Sequence, residues 1–139
     1  MKKSRNRIEM SKEKDKDKKY NLEKRLIDFA VRVINVVEAL PNTRAGNHIA
    51  GQLVRCGTSP APNYGEAQSA ESRNDFINKI KIVLKELRET KVWLNIIQLK
   101  SLLKSTREIE LLIAECDELI SIFVTSVRTA EKNKHRKRE

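Results

Sequence analysis

Apolar residues recur along the chain at spacings of three and four, and this rhythm marks four helical segments. In the first, Leu22, Leu26, Phe29, Val33, Val36 and Leu40 share one face. A second row, Ile27, Ala30, Ile34 and Val37, runs beside it, so the spacing predicts a wide apolar face. Pro41 ends the pattern, and Thr43 is placed to cap the next helix. That helix begins near Arg44 and aligns Ile49, Leu53 and Cys56, with Pro60, Asn63, Tyr64, Ala67 and Ala70 following in the same phase. Pro60 and Pro62 remove backbone donors and crowd the preceding turn, while Gly57 and Gly65 weaken the helix further. The stretch "GTSPAPNYGEAQSAESRNDF" (57–76) therefore predicts a break near 58–62, with helix resuming over 63–70.

The third helix has a clear start. Ser72 followed by Asp75 has the spacing of a capping box. Phe76, Ile80, Val83, Leu84, Leu87, Leu94 and Ile97 form its core face, whereas Ile82, Trp93 and Ile96 fall on a second apolar strip. Apolar surface on an otherwise charged helix predicts a subunit contact. Ser105 and Glu108 form the capping box of the fourth helix, whose core face is Ile109, Leu112, Ile113, Cys116, Leu119, Ile120, Phe123 and Val127. No segment alternates like a strand. Four amphipathic helices with short connections read as an all-α, up-down-up-down four-helix bundle.

Composition agrees with that architecture. Within 139 residues, 39% are hydrophobic and 35% charged, with only 4 Gly and 3 Pro. The two cysteines, Cys56 and Cys116, sit in apolar helical patterns and read as small buried hydrophobes rather than a disulfide. Apolar runs are short, as in "LLIA" at 111–114, and the basic N-terminus lacks a signal peptide's apolar stretch. The expectation is a cytoplasmic protein with no membrane partner.

Charge changes the picture once it is located. The net charge of +10 divides into +5 over residues 1–19, +4 over 132–139 and only +1 over 20–131. The chain thus reads as a bundle domain, 20–131, between two basic tails, and the first tail is too polar to order itself. Within the body, residues 73–104 hold eight Lys/Arg against three Asp/Glu. Residues 108–127 hold five acidic residues and no basic one. These two helices attract each other either within a protomer or across a repeated interface.

Catalytic chemistry finds little footing. Di-iron bundles need Glu-x-x-His pairs, but the residues three before His48 and His135 are Ala45 and Lys132. No metal site or cofactor is therefore expected. His48 and Cys56 lie about two helical turns apart, roughly 12 Å, too far for a thiolate–imidazolium pair. No glycine-rich phosphate motif occurs. Glu66, Glu86 and Glu89 read as a solvated or ion-paired face. Asn63 and Glu66 lie one turn apart and can meet a shared partner, either a neighbouring helix or a ligand.

The stretch "CGTSPAPNYGEAQSAESRNDF" at 56–76, "KIKIVLKELRETKVWL" at 79–94 and "ECDELI" at 115–120 resemble the bacterial four helix bundle protein family. That family includes proteins encoded within intervening sequences of large-subunit ribosomal RNA genes. Its signature matches Ser59, Asn63, Glu66, Asp75 and Phe76, and the resemblance covers roughly residues 25–128. Pro60 and Pro62 depart from it. The resemblance implies a homopentameric ring, and a distant likeness to the accessory protein of diversity-generating retroelements implies a nucleic-acid role.

Two functional readings follow. In the first, a non-enzymatic ring binds nucleic-acid phosphates, RNA before DNA, without sequence preference. Lys2, Lys3, Arg5, Arg7, Lys132, Lys134, Arg136, Lys137 and Arg138 would make the contacts, and the surface of Lys79, Lys81, Lys85, Arg88 and Lys91 is the next candidate. The tails' only aromatic neighbour is Tyr20, so base stacking is not expected. In the second reading the protein is an oligomeric scaffold or accessory subunit for a protein partner, without direct nucleic-acid binding.

Overall fold

A computed structural model of the chain describes residues 22–136. Among these residues there are helices and turns but no strand. Helix α1 spans 22–39. It is followed by α2 (Arg44–Thr58), α3 (Pro60–Gln68), α4 (Arg73–Lys100) and α5 (Arg107–Arg136). α2 and α3 abut across Ser59 and act as one arm, giving a four-helix bundle whose short turns send each arm back along the last.

The caps explain where the arms begin and end. Thr43 Oγ1 accepts from the Gly46 amide at 3.0 Å, and Ser72 Oγ accepts from the Asp75 amide at 3.1 Å. Each satisfies a donor that the first helical turn leaves unpaired. The Ser105–Glu108 box is not used as expected. α5 starts at Arg107, and it is the Thr106 carbonyl that accepts from the Glu110 amide at 3.0 Å. At the other end of that turn, Ser101 closes α4 in a left-handed conformation, φ 54°. The Leu102 amide reaches Ile97 O and the Ser101 amide reaches Gln98 O, each at 3.1 Å. This is a Schellman closure with serine in the position glycine usually takes.

The predicted five-residue break in the second arm is only a joint. Ser59 stays in the right-handed helical region, φ −72°, ψ −31°. Its amide donates to Arg55 O at 3.2 Å, and the Asn63 amide donates to Ser59 O at 3.1 Å. Pro60 and Pro62 fall in the first turn of α3, where a missing N–H costs least. The hydroxyls of Thr58 and Ser59 donate back to the carbonyls of Val54 and Arg55, a pattern that bends a helix without ending it. Gly57 has a packing role rather than a breaking one. A Cβ there would lie 2.6 Å from Val33 Cγ1, so its absence lets α1 and α2 approach.

The core is one cluster drawn from every arm. Leu26, Phe29 and Val33 of α1, Leu53 of α2, Ile80, Leu87 and Leu94 of α4, and Leu112, Leu119 and Phe123 of α5 are almost fully closed to solvent. The α3 segment contributes Tyr64, whose ring meets Phe123 edge-on at 5.8 Å and 67°. Three expectations need correction. On α1, the second row does not share the burial of the first: Ile27 and Ile34 are exposed and line up with exposed Val31. On α4, Ile77 is buried whereas Phe76 is only partly so. Lastly, α5 continues to Arg136, so the basic segment from 132 begins as the helix's last turns rather than as a tail.

Candidate nucleic-acid interface

Charge placement was the sequence's main functional signal, and the bundle gives five of the body's cations a carboxylate partner on another helix. Lys91 Nζ lies 2.6 Å from Asp117 and Lys81 Nζ 3.1 Å from Glu131, both joining α4 to α5. Lys79 Nζ donates to Glu66 at 3.0 Å, joining α4 to α3. The hydrogen bonds from Asp117 and Glu66 hold the Lys91 and Lys79 ammonium groups above the ordinary lysine pKa. Arg25 of α1 grips Glu115 and, at 2.8 Å, Glu118 of α5. Arg55 of α2 reaches Glu89 of α4 at 2.7 Å. Its Nη1 also stands 3.5 Å from Glu86 Oε2, close enough for attraction but not aligned as a hydrogen bond.

The basic and acidic helices therefore complement each other within one protomer. Exposed pairs of this kind add little stability, but they do cancel charge. Of the five cations considered on α4, Lys79, Lys81 and Lys91 are engaged, while Lys85 and Arg88 are exposed and make no ion pair among the described residues.

The signature residues gather at the joint of the second arm and the start of α4. Ser59 donates to Arg55 O at 2.6 Å, Glu66 is exposed on Lys79, and Asp75 stands in the first turn of α4. Asn63 is half-buried and makes no side-chain hydrogen bond among the described residues, so the two do not share one buried partner. Phe76 packs against the core.

The strip of Ile82, Trp93 and Ile96 divides. Ile82 and Ile96 are exposed, with Val92 and Leu99 beside them on α4. Trp93 is half-buried, packs on the core and meets the His48 ring edge-on at 5.9 Å.

At the end where α5 finishes, Lys132 is exposed and Lys134 half-buried, and neither makes an ion pair among the described residues. Cations here also sit at the favourable end of the helix dipole. Lys2, Lys3, Arg5, Arg7, Lys137 and Arg138 lie outside the described residues, as does the side chain of Arg136. Sequence reasoning missed Arg73, which lines an open pocket beside Lys134. A cation in the first turn of α4, against the dipole, was the available signal.

With this arrangement in view, the comparisons are specific. A model of the 23S rRNA-intervening sequence protein family matches residues 8–125. The chain belongs to that family. The match starts inside the basic N-terminal segment, so the family's shared region reaches beyond the bundle's first described residue. A solved structure from Bacteroides thetaiotaomicron, described as a protein with unknown function from the S23 ribosomal protein family, superposes with a TM-score of 0.70. It is 31% identical, and the match covers 76% of this chain and 97% of that one. No curated protein matches. No helix among the described residues is long and apolar enough to cross a membrane.

Both cysteines are free and buried, Cys116 with its thiol 3.2 Å from Leu87 O. Burial pushes both thiols up, Cys116 to about 12. Such a thiol is neither a nucleophile nor a metal ligand near neutral pH. An unfolded thiol ionises near pH 9 while the folded Cys116 keeps its proton. Its contribution is thus complete below pH 9 and is lost between pH 9 and about 12. Stability should fall by about 1.4 kcal/mol per pH unit in that window from this group. Urea unfolding of the native chain and of Cys116→Ala, compared at pH 8 and pH 10.5, isolates the contribution. Parallel pH dependences in the two proteins would remove it.

Proposed function

We propose that this protein is a non-enzymatic, ring-forming member of its family that associates with nucleic acid, RNA before DNA. Its basic ends hold phosphates without sequence preference, and the bundle serves to gather those ends. The observation that carries the reading is the pattern of ion pairs. Arg25, Arg55, Lys79, Lys81 and Lys91 are turned onto carboxylates of neighbouring helices, and the body's net charge is only +1, so the charge excess lies at the chain's two ends. The family's link to intervening sequences of ribosomal RNA supports RNA over DNA.

Support for a ring comes from two exposed apolar stripes, Ile27, Val31 and Ile34 on α1, and Val92, Ile96 and Leu99 on α4. α4 packs on both α2/α3 and α5. α1 touches α2 through Val33 and Gly57, and α5 through Arg25. The two stripes therefore stand on opposite sides of the bundle. Packing one on the other in a second copy makes a head-to-tail contact, which closes into a ring when the rotation allows. Five copies is the number that the family resemblance implies.

Light scattering on the eluting full chain should give about five protomer masses, and a clean monomer at micromolar concentration would sink the ring. For the phosphate reading, affinity for an unstructured single-stranded RNA should fall with salt at a log–log slope near −3, as for about four neutralised phosphates. Absence of binding at low salt would leave the protein-scaffold reading in its place.

A further inference from the structure

α1 and α4 both run toward one end of the bundle, where the turns that follow them meet. Pro41 of the first turn and Leu102 and Leu103 of the second line an apolar pocket of about 490 Å³, completed by Arg32, Val36 and Ala39 of α1. Leu99, at the same end of α4, is 86% exposed, the most open of the large apolar side chains described. Heights along the two helices match in kind. Ile34 lies five residues before Ala39, where α1 ends, and Ile96 four before Lys100, where α4 ends. Val31 and Val92 each lie eight residues back. Asp28 lies eleven back and Arg88 twelve, while Glu38 stands one residue before its helix end and Lys100 at its own. At 1.5 Å per residue, each of these pairs agrees in height to about 1.5 Å. The exposed charged residues of α1 are Glu23, Asp28, Glu38 and one cation, Lys24, whereas those of α4 are Lys81, Lys85, Arg88 and Lys100, with no acid. Asp28, Glu38, Arg88 and Lys100 make no ion pair among the described residues.

We infer that the pocket at the end of α1 receives Leu99 from a second copy of this chain, whose α4 lies parallel to α1. Ile96 of that copy then rests on Ile34 and its Val92 on Val31, while its Arg88 faces Asp28 and its Lys100 faces Glu38. The occupant is a second copy because the two faces of one chain complement each other in charge, in apolar spacing and in height. Leucine burial supplies the attraction, and opposite charges at the rim set the register and disfavour the reversed orientation. Equal heights also fix the symmetry. A parallel contact without offset relates the copies by a rotation about an axis along the bundle, with no rise. Repetition of that operation closes into a ring, whereas an offset contact would climb as a filament. The inference rests on the ring reading above and names the surfaces and register that would build it.

Sedimentation of the full-length chain over a range of concentrations tests it. Leu99→Asp should raise the concentration at which the assembly falls apart by about tenfold or more, the worth of one buried leucine. Because Leu99 is exposed in the protomer, helicity should not change. Glu38→Lys and Lys100→Glu should each weaken assembly by placing like charges opposite one another, and the two together in one chain should restore it. Raising the salt should lessen the penalty of each single reversal. If Leu99→Asp assembles as the native chain does, the pocket contact is wrong and a ring must use another surface. If Leu99→Asp dissociates but the double reversal assembles no better than either single one, the parallel register is wrong. A native chain that stays monomeric at every concentration removes the second copy as the occupant and the ring with it.

Discussion

Phe123→Ala is expected to lower the unfolding free energy by about 3–5 kcal/mol, the range for removing a large aromatic side chain from a core that cannot collapse around the gap. Phe123 is 1% exposed and belongs to the cluster that joins all four arms. Its ring also supplies the edge-on partner of Tyr64, so the substitution removes an aromatic pair that links α3 to α5. Guanidinium unfolding should show a lower midpoint with little change in slope, the sign of lost stability rather than altered compactness. Phe123→Leu keeps most of the volume and should lose much less. A loss below about 1 kcal/mol for the alanine variant would mean that this position is not in a packed core.

The second large effect concerns binding. Removing residues 1–19 and replacing Lys132, Lys134, Arg136, Lys137 and Arg138 with glutamine should abolish most RNA binding. Substitution is preferable to deletion at the C-terminal end, because residues 132–136 are the last turns of α5. With about four phosphates neutralised on a single strand, the native chain should lose roughly fifty-fold in affinity between 50 and 200 mM salt. The neutralised chain should bind weakly at both concentrations and show almost no salt slope. Several ends presented by one ring add avidity, so the loss should be larger on a long RNA than on a short one. Helicity and assembly mass should be unchanged. If the neutralised chain binds as tightly as the native one, the basic ends are not the interface. Lys85 and Arg88, exposed on α4, become the next surface to test.

Much of the fold was legible in the residues. The three- and four-residue rhythm of Leu26, Phe29 and Val33, and of Ile109, Leu112 and Cys116, named core positions that are buried in the bundle. Periodicity works because the repeat of an α-helix is a property of the backbone, whatever lies next to it. Thr43 and Ser72 were legible as caps for a similar reason, since each answers an amide only three residues away. The location of the net charge, in the two ends rather than the body, was also a matter of counting.

Other features depend on what lies opposite, and only the tertiary structure decided them. Ile27 and Ile34 have the right spacing for a core, yet among the described residues no helix covers their side of α1. The prolines at 60 and 62 suggested a loop, but a joint one residue wide absorbs them, with Gly57 fitted against Val33. Lys91 and Asp117 were one basic and one acidic residue on different helices until packing set them 2.6 Å apart. Arg73 carried no motif, and its buried Nη1, without an acceptor among the described residues, arises only where the start of α4 meets the end of α5. The sequence alone determined which residues form helices and where charge accumulates, because both follow from local chemistry. Tertiary structure decided which charges are cancelled, which apolar faces stay open and where donors converge, because each depends on contacts between residues far apart in the chain.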